Sequence, residues 1–206
     1  MQSWLTAAPP EEIDIAPARL RRWRVEDAEE VARLVTDNLD HLRPWMPWAQ
    51  EPPSVEQERE FLQVRRRAWE ARTDFGYAVT LSGGQAIGGM GLHTRQGPRT
   101  LEIGYWIAAA HTGRGFATAG ARALTAAALG LPGVERVEIR CDEANRASAA
   151  VPARLGFRLV DVITREPSAP GETSRAQIWA VRREEWHPGV IGTSVSRGPG
   201  TSAPPT

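Results

Sequence analysis

The octapeptide HTGRGFAT, residues 111–118, lies between an alternating apolar stretch and an alanine-rich one, where a strand would hand over to a helix. Gly113 and Gly115 carry no side chain to bar an anion from the backbone, either can adopt positive φ, and Arg114 between them adds a cation. A helix that starts here offers unpartnered N–H groups and about half a positive charge at its N-terminus. Taken alone, the loop reads equally as a tight strand-to-helix turn or as a phosphate cradle. It lacks the Gly-Lys-Ser/Thr ending of a Walker loop, and the βαβ context and glycine spacing of a dinucleotide fingerprint.

Working outward, RTLEIGYWIA (99–108) alternates, with Leu101, Ile103, Tyr105 and Ile107 on one face and Glu102, Gly104 and Trp106 on the other, as a strand does. Downstream, a helix is predicted from about Arg114 to Leu129, closed by Gly130 and Pro132. VERVEIRCD (134–142) reads as a strand, NRASAAVPARLG (145–156) as a short helix capped by Asn145, and FRLVDVIT (157–164) and RAQIWAVR (175–182) as two more strands. Before the loop, residues 18–39 give a short strand and a helix opening at Glu26 and Asp27, and residues 54–72 a helix capped by Ser54. Residues 75–95 form a hairpin turning at SGG (82–84). The order β, α, α, β, β, β, α, β, α, β, β predicts one α/β (α+β) domain, a mixed and mostly antiparallel sheet of about seven strands with about four helices. A doubly wound nucleotide fold would alternate strand and helix throughout.

Over the 206 residues, 25 Lys and Arg balance 25 Asp and Glu, so no net field draws the chain to nucleic acid or to a membrane surface. The single cysteine, Cys141, excludes an intramolecular disulfide and multi-thiolate zinc sites, and its strand places it as a buried small hydrophobe. No apolar run approaches the ~20 residues of a membrane span, and no metal site is expected. These features predict a soluble cytoplasmic protein. The Pro-, Gly- and Ser-rich ends predict flexible tails at 1–15 and 188–206 around a domain at 16–187.

The run from Leu101 to Asp161 resembles the acyl-CoA-binding half of the GCN5-related N-acetyltransferase (GNAT) superfamily, and HLRPWMPWA (41–49) is similar to the aromatic segment of its RimJ/RimL-like branch, which acetylates ribosomal-protein N-termini. The superfamily loop Gln/Arg-x-x-Gly-x-Gly/Ala is matched from Thr112 to Ala117 except at Thr112 itself. The resemblance implies acetyl-CoA as acyl donor, bound by Thr112, Gly113, Arg114, Gly115, Phe116, Ala117 and Thr118 at the pyrophosphate. It implies the pantetheine along Trp106, Ile107, Ala108 and Ala109, with Asn145 and Ser148 beside it and the thioester carbonyl on backbone at about Ile107 to Ala109.

Acyl transfer to an amine needs a group to take the amine proton, donors for the oxyanion and a partner for the departing thiolate. Glu102, on the strand that feeds the loop, is the expected base, with Glu143 and His93 as runners-up; each also reads as an ordinary structural residue. The superfamily's tyrosine acid is replaced by Pro152, and the Asn145-x-x-Ser148 pattern resembles the ribosomal-type branch in which a serine serves the thiolate. Pro152 has no N–H for the Ser148 carbonyl, which is expected to stay free for CoA's amides. Trp45 and Trp48, stiffened by Pro44 and Pro47, are expected with His93 and Glu102 at the acceptor pocket. Arg65, Arg66 and Arg67 read as a solvated helix face, with an acidic acceptor or the CoA 3′-phosphate as the alternative partners. The acceptor is an amine of a protein N-terminus or a small molecule, and a homodimer is expected by analogy. A succinyl donor, a non-catalytic acyl-CoA-binding module and an aromatic docking patch are the alternatives.

Overall fold

Alternation along β5 (Thr100–Ile107) sets the layering of the molecule, for which the computed structural model describes residues 4–187. Leu101, Ile103 and Ile107 are buried in one cluster with Leu124 and Ala128 of α4 (Phe116–Gly130), whereas Trp106 turns to the other face. That second face carries α1 (Ala28–Thr36), the short α2 (Leu39–Leu42) and α3 (Val55–Glu70), which bury Val31, Val35 and Leu62 beside Trp106.

The other strands are β1 (Glu12–Ile15), β2 (Ala18–Arg22), β3 (Asp74–Leu81), β4 (Ala86–His93), β6 (Arg136–Asp142), β7 (Arg158–Thr164) and β8 (Arg175–Arg182). Among the described residues they make one eight-stranded sheet in the order β1-β2-β3-β4-β5-β6-β8-β7. Every pairing is antiparallel except β5 with β6, which α4 joins as the crossover a parallel pair requires. Met90 on β4 reaches α4 at Gly120, where an added Cβ would lie 2.2 Å from its sulfur, so strand and helix meet closely.

The expected elements are present, with one strand and one helix more. The additional strand, β1, occupies residues expected in the N-terminal tail: it pairs with β2 from Glu12↔Arg21 to Ile15↔Ala18, Leu5 is buried, and the Tyr77 hydroxyl donates to the Pro10 carbonyl at 2.8 Å. The C-terminal tail expected at 188–206 lies outside the described residues, as do residues 1–3. The α3 start is a capping box: Ser54 Oγ accepts from Gln57 N at 3.2 Å and Gln57 Oε1 from Ser54 N at 2.7 Å. Arg65 departs from the solvated face expected for it and pairs at 2.5 Å with Asp74, while Arg66 and Arg67 are exposed.

Candidate active site

β5 and β6 do not stay together. Their last pair is Ile103↔Ile139, although β5 runs on to Ile107 and β6 to Asp142, so the two parallel strands part and leave a gap. The Ala108 N–H donates to the Ile87 carbonyl at 2.8 Å, toward β4. Successive residues of a strand point their polar groups to opposite sides, so Ile107 and Tyr105 present N–H and C=O to the gap. Of the backbone expected to hold the thioester, Ile107 therefore qualifies. Ala108 and Ala109 do not, because Ala109 N–H is engaged by Asn38 Oδ1 at 2.8 Å.

At the open end of the gap a 3-10 turn (Ala109–His111) leads into the glycine loop, where Gly113 and Gly115 have φ of 72° and 84°. A Cβ on either would meet nothing within 4 Å, so both are there for their backbone angles and not for close packing, and the space in front of them is open. Gly115 caps α4 without a side chain. Ala119 N–H bonds back to Gly115 at 2.9 Å, and the N–H groups of Phe116, Ala117 and Thr118 precede any such partner. Thr112 Oγ1 bonds inward to the Ala109 carbonyl at 2.9 Å. His111, which sequence reading passed over, packs edge-on against Phe116 and has a buried Nδ1 without a hydrogen-bond partner.

Across the gap stands α5 (Arg146–Arg154), whose Asn145 cap accepts from Ser148 N at 3.0 Å. The Ser148 carbonyl, deprived of a helical donor by Pro152, is not free: the Tyr105 hydroxyl donates to it at 2.9 Å and lies 3.0 Å from Ser148 Oγ. Burial pushes the Tyr105 phenol up despite its bond with Ser148, so it stays protonated and donates. Cys141, buried, also faces Ser148, and its thiol is pushed up by burial to about 11, which leaves it an inert neutral group. Tyr105 is thus a site residue that sequence reading placed only in the core. The carbonyl that Pro152 leaves without a helical donor signals that some donor is needed there, but not which one.

On the opposite face, Glu102 is 4% exposed. Arg95 grips it with Nε at 2.9 Å and a second bond from Nη2, and Gln96 donates to it as well. Burial alone would raise its carboxyl, but the bonds from Arg95 and Gln96 and the nearby His93 reverse this and hold it below the usual carboxylate range. An anion so engaged is a weak proton acceptor, which argues against the base role expected of it. Glu143 pairs with Arg175 at 2.8 Å. His93, the cross-strand neighbour of Glu102, bonds through Nδ1 to Asp74 Oδ2 at 2.6 Å. Trp48 packs tilted on Trp106, with centroids 5.9 Å apart, and remains half exposed at the rim; Trp45 is half-buried. The segment that carries both tryptophans is tied to the β7–β8 loop by Gly171 N–H donating to the Pro44 carbonyl at 2.8 Å.

The candidate site is therefore a gap between parted strands, with a glycine loop and the free N–H groups of a helix start at its mouth, a hydroxyl pair on one wall and a charged, aromatic-rimmed face behind it. Residues 18–158 match the acetyltransferase (GNAT) domain. Over 139 residues the chain is 35% identical to YdaF of Bacillus subtilis (strain 168), named as a proposed ribosomal N-acetyltransferase, covering 67% of this chain and 76% of that one. Mycobacterium smegmatis RimJ in complex with CoA-disulfide superposes with a TM-score of 0.74 at 26% identity, covering 82% of this chain and 83% of that one. RimL, the ribosomal L7/L12 alpha-N-protein acetyltransferase in complex with coenzyme A, does so at 0.76 and 21%, covering 84% and 98%. With most of its length matched to the family, the chain belongs to the GNAT acetyltransferases and is an N-acetyltransferase.

Proposed function

We propose that the chain transfers the acetyl group of acetyl-CoA to the α-amino group of a polypeptide N-terminus, of the ribosomal-protein kind for which its relatives are named, by direct attack within a ternary complex in the cytoplasm. The observation that carries this reading is the gap itself. Backbone N–H and C=O groups of Tyr105 and Ile107 line it, so a pantetheine arm pairs there as a strand would, while the anion cradle at residues 113–118 receives the pyrophosphate. Arg114 adds charge at the rim of the cradle. The amine comes from the opposite face, where Trp48 and Trp106 form an apolar rim that suits the first side chains of a peptide.

On the thiolate side, Ser148 Oγ–H donates to the departing sulfur while Tyr105 holds the serine from behind. The backbone N–H of Tyr105, the first beyond the last β5–β6 pair to face the gap, serves the oxyanion. Arg95, the cation nearest Glu102, is engaged by that carboxylate, which favours an acetyl over a succinyl donor.

The test is mass spectrometry of peptides beginning with Ser or Ala, and of a polyamine and an aminosugar, incubated with acetyl-CoA or succinyl-CoA. Peptides should gain one acetyl group at the α-amine. Acetylation of the small amines alone would overturn the acceptor, and transfer from succinyl-CoA alone would overturn the donor.

A further inference from the structure

We propose that His93 is the general base of this transfer, oriented by Asp74 and presenting Nε2 to the point where β5 and β6 part. The inference rests on the acyl-transfer reading above. His93 ends β4 and lies on the acceptor face with Glu102, its cross-strand partner. Its ring does not stand out from the sheet but lies back along it, over Gly91 and Gly104. A Cβ built on Gly104 would be 3.1 Å from Nε2 and one on Gly91 3.0 Å, so two glycines leave the floor on which the imidazole rests. Gly104 is the first β5 residue beyond the last β5–β6 pair, so Nε2, over the seam between Gly91 and Gly104, is level with the apex of the gap, toward which the acyl end of a pantetheine lying along Tyr105 and Ile107 points.

The other ring nitrogen fixes the tautomer. Burial would raise the Asp74 carboxyl, but the bond from His93 and the Arg65 guanidinium hold it below the usual range, so it is ionised and can only accept. The proton of the 2.6 Å bond is therefore on Nδ1, which makes Nε2, without a hydrogen-bond partner among the described residues, the nitrogen that exchanges a proton with substrate. The charged groups around the imidazole are Asp74 on β3, Arg65 on α3 and Glu102 on β5, the last neutralised by Arg95 from the loop that follows β4. Of the two acid–base groups here, the carboxylate has both oxygens occupied and the imidazole has its free nitrogen at the apex.

In the reaction the neutral amine attacks the thioester carbonyl. A C–N bond forms, the C–S bond breaks, the nitrogen's proton passes to Nε2, and CoA leaves as the thiolate facing Ser148. The imidazolium, paired with Asp74, returns its proton to water.

Two measurements decide the matter. Nitrogen-15 NMR of the acetyl-CoA complex of the whole protein should show the Nδ1–H tautomer of His93. A proton on Nε2 would overturn the assignment whatever the acceptor. With a Ser-initiated peptide, His93→Gln should lower kcat/KM by at least about a hundredfold and remove the acid limb of the pH profile, with acetyl-CoA affinity unchanged. A variant that keeps kcat/KM within about threefold and keeps the acid limb would also overturn it. If the wild type acetylates no peptide, the proposed function fails, and the tautomer still decides the placement of His93.

Discussion

Replacing Tyr105 by Phe removes one oxygen from a position where two groups depend on it. The Ser148 carbonyl lacks its α-helical donor, because residue 152 is proline, and Ser148 Oγ loses its neighbour at 3.0 Å. Phe keeps the ring volume, so no cavity forms and the cost is that of an orphaned, part-buried acceptor, about 1–2 kcal/mol. For a domain of this size that is a Tm lower by roughly 2–8 °C. Pro152→Ala supplies the missing N–H four residues after Ser148, so Tyr105→Phe should cost about 1 kcal/mol less in that background. The assay is a double-mutant cycle in urea with each protein at one pH and salt concentration. Costs that add, with no coupling between the two substitutions, would refute the argument that the hydroxyl serves the carbonyl Pro152 leaves free.

Gly104→Ala should push the His93 imidazole off the apex, since the new Cβ would lie 3.1 Å from Nε2 and 3.6 Å from Cδ2; kcat should fall at least tenfold with calorimetric acetyl-CoA affinity unchanged, and an unchanged kcat would contradict the placement of the ring. Glu102 has a carboxyl held below its usual value, so the stability it contributes is complete above about pH 4.3 and is lost as pH falls through its lower folded value. The difference in urea stability between wild type and Glu102→Gln should accordingly shrink below that pH, and a constant difference from pH 7 to 3 would refute the sign. Asn145→Ala removes the α5 cap and should lower stability by about 1 kcal/mol, read as a shift in urea midpoint at constant m; no shift would mean that water replaces the cap.

The sequence was most legible where the controlling interactions are local. Strict alternation marked β5 with its two faces, the Gly113 and Gly115 pair marked the turn into α4, and Ser54 and Asn145 marked helix starts through caps that bond within three residues. β1 was hidden because EIDI lies between Pro10 and Pro17 in a polar context and is a strand only by virtue of β2, while Leu5 is held by the core. α2 is four residues long, too short for periodicity to show. The site was legible to the level of its residue types and not their states. Tyr105 and Ser148 are 43 residues apart, and nothing local announces that one hydroxyl answers the carbonyl left by Pro152. Glu102 looked like a free carboxylate because Arg95 and Gln96 reach it from around a turn, and His93 looked like an ordinary strand end because Asp74, its partner, lies 19 residues earlier on β3.

If the parted strands and the glycine loop hold acetyl-CoA, calorimetric titration of wild type and Gly115→Trp with acetyl-CoA will show it. Gly115 has φ of 84° and open space before it, so the indole both strains the backbone and fills the cradle. Wild type is expected to bind one acetyl-CoA per chain with micromolar affinity, and the variant, still folded by circular dichroism, to lose binding by at least a hundredfold. Folded wild-type protein that binds no acetyl-CoA, or a variant that binds it as tightly, would contradict the account.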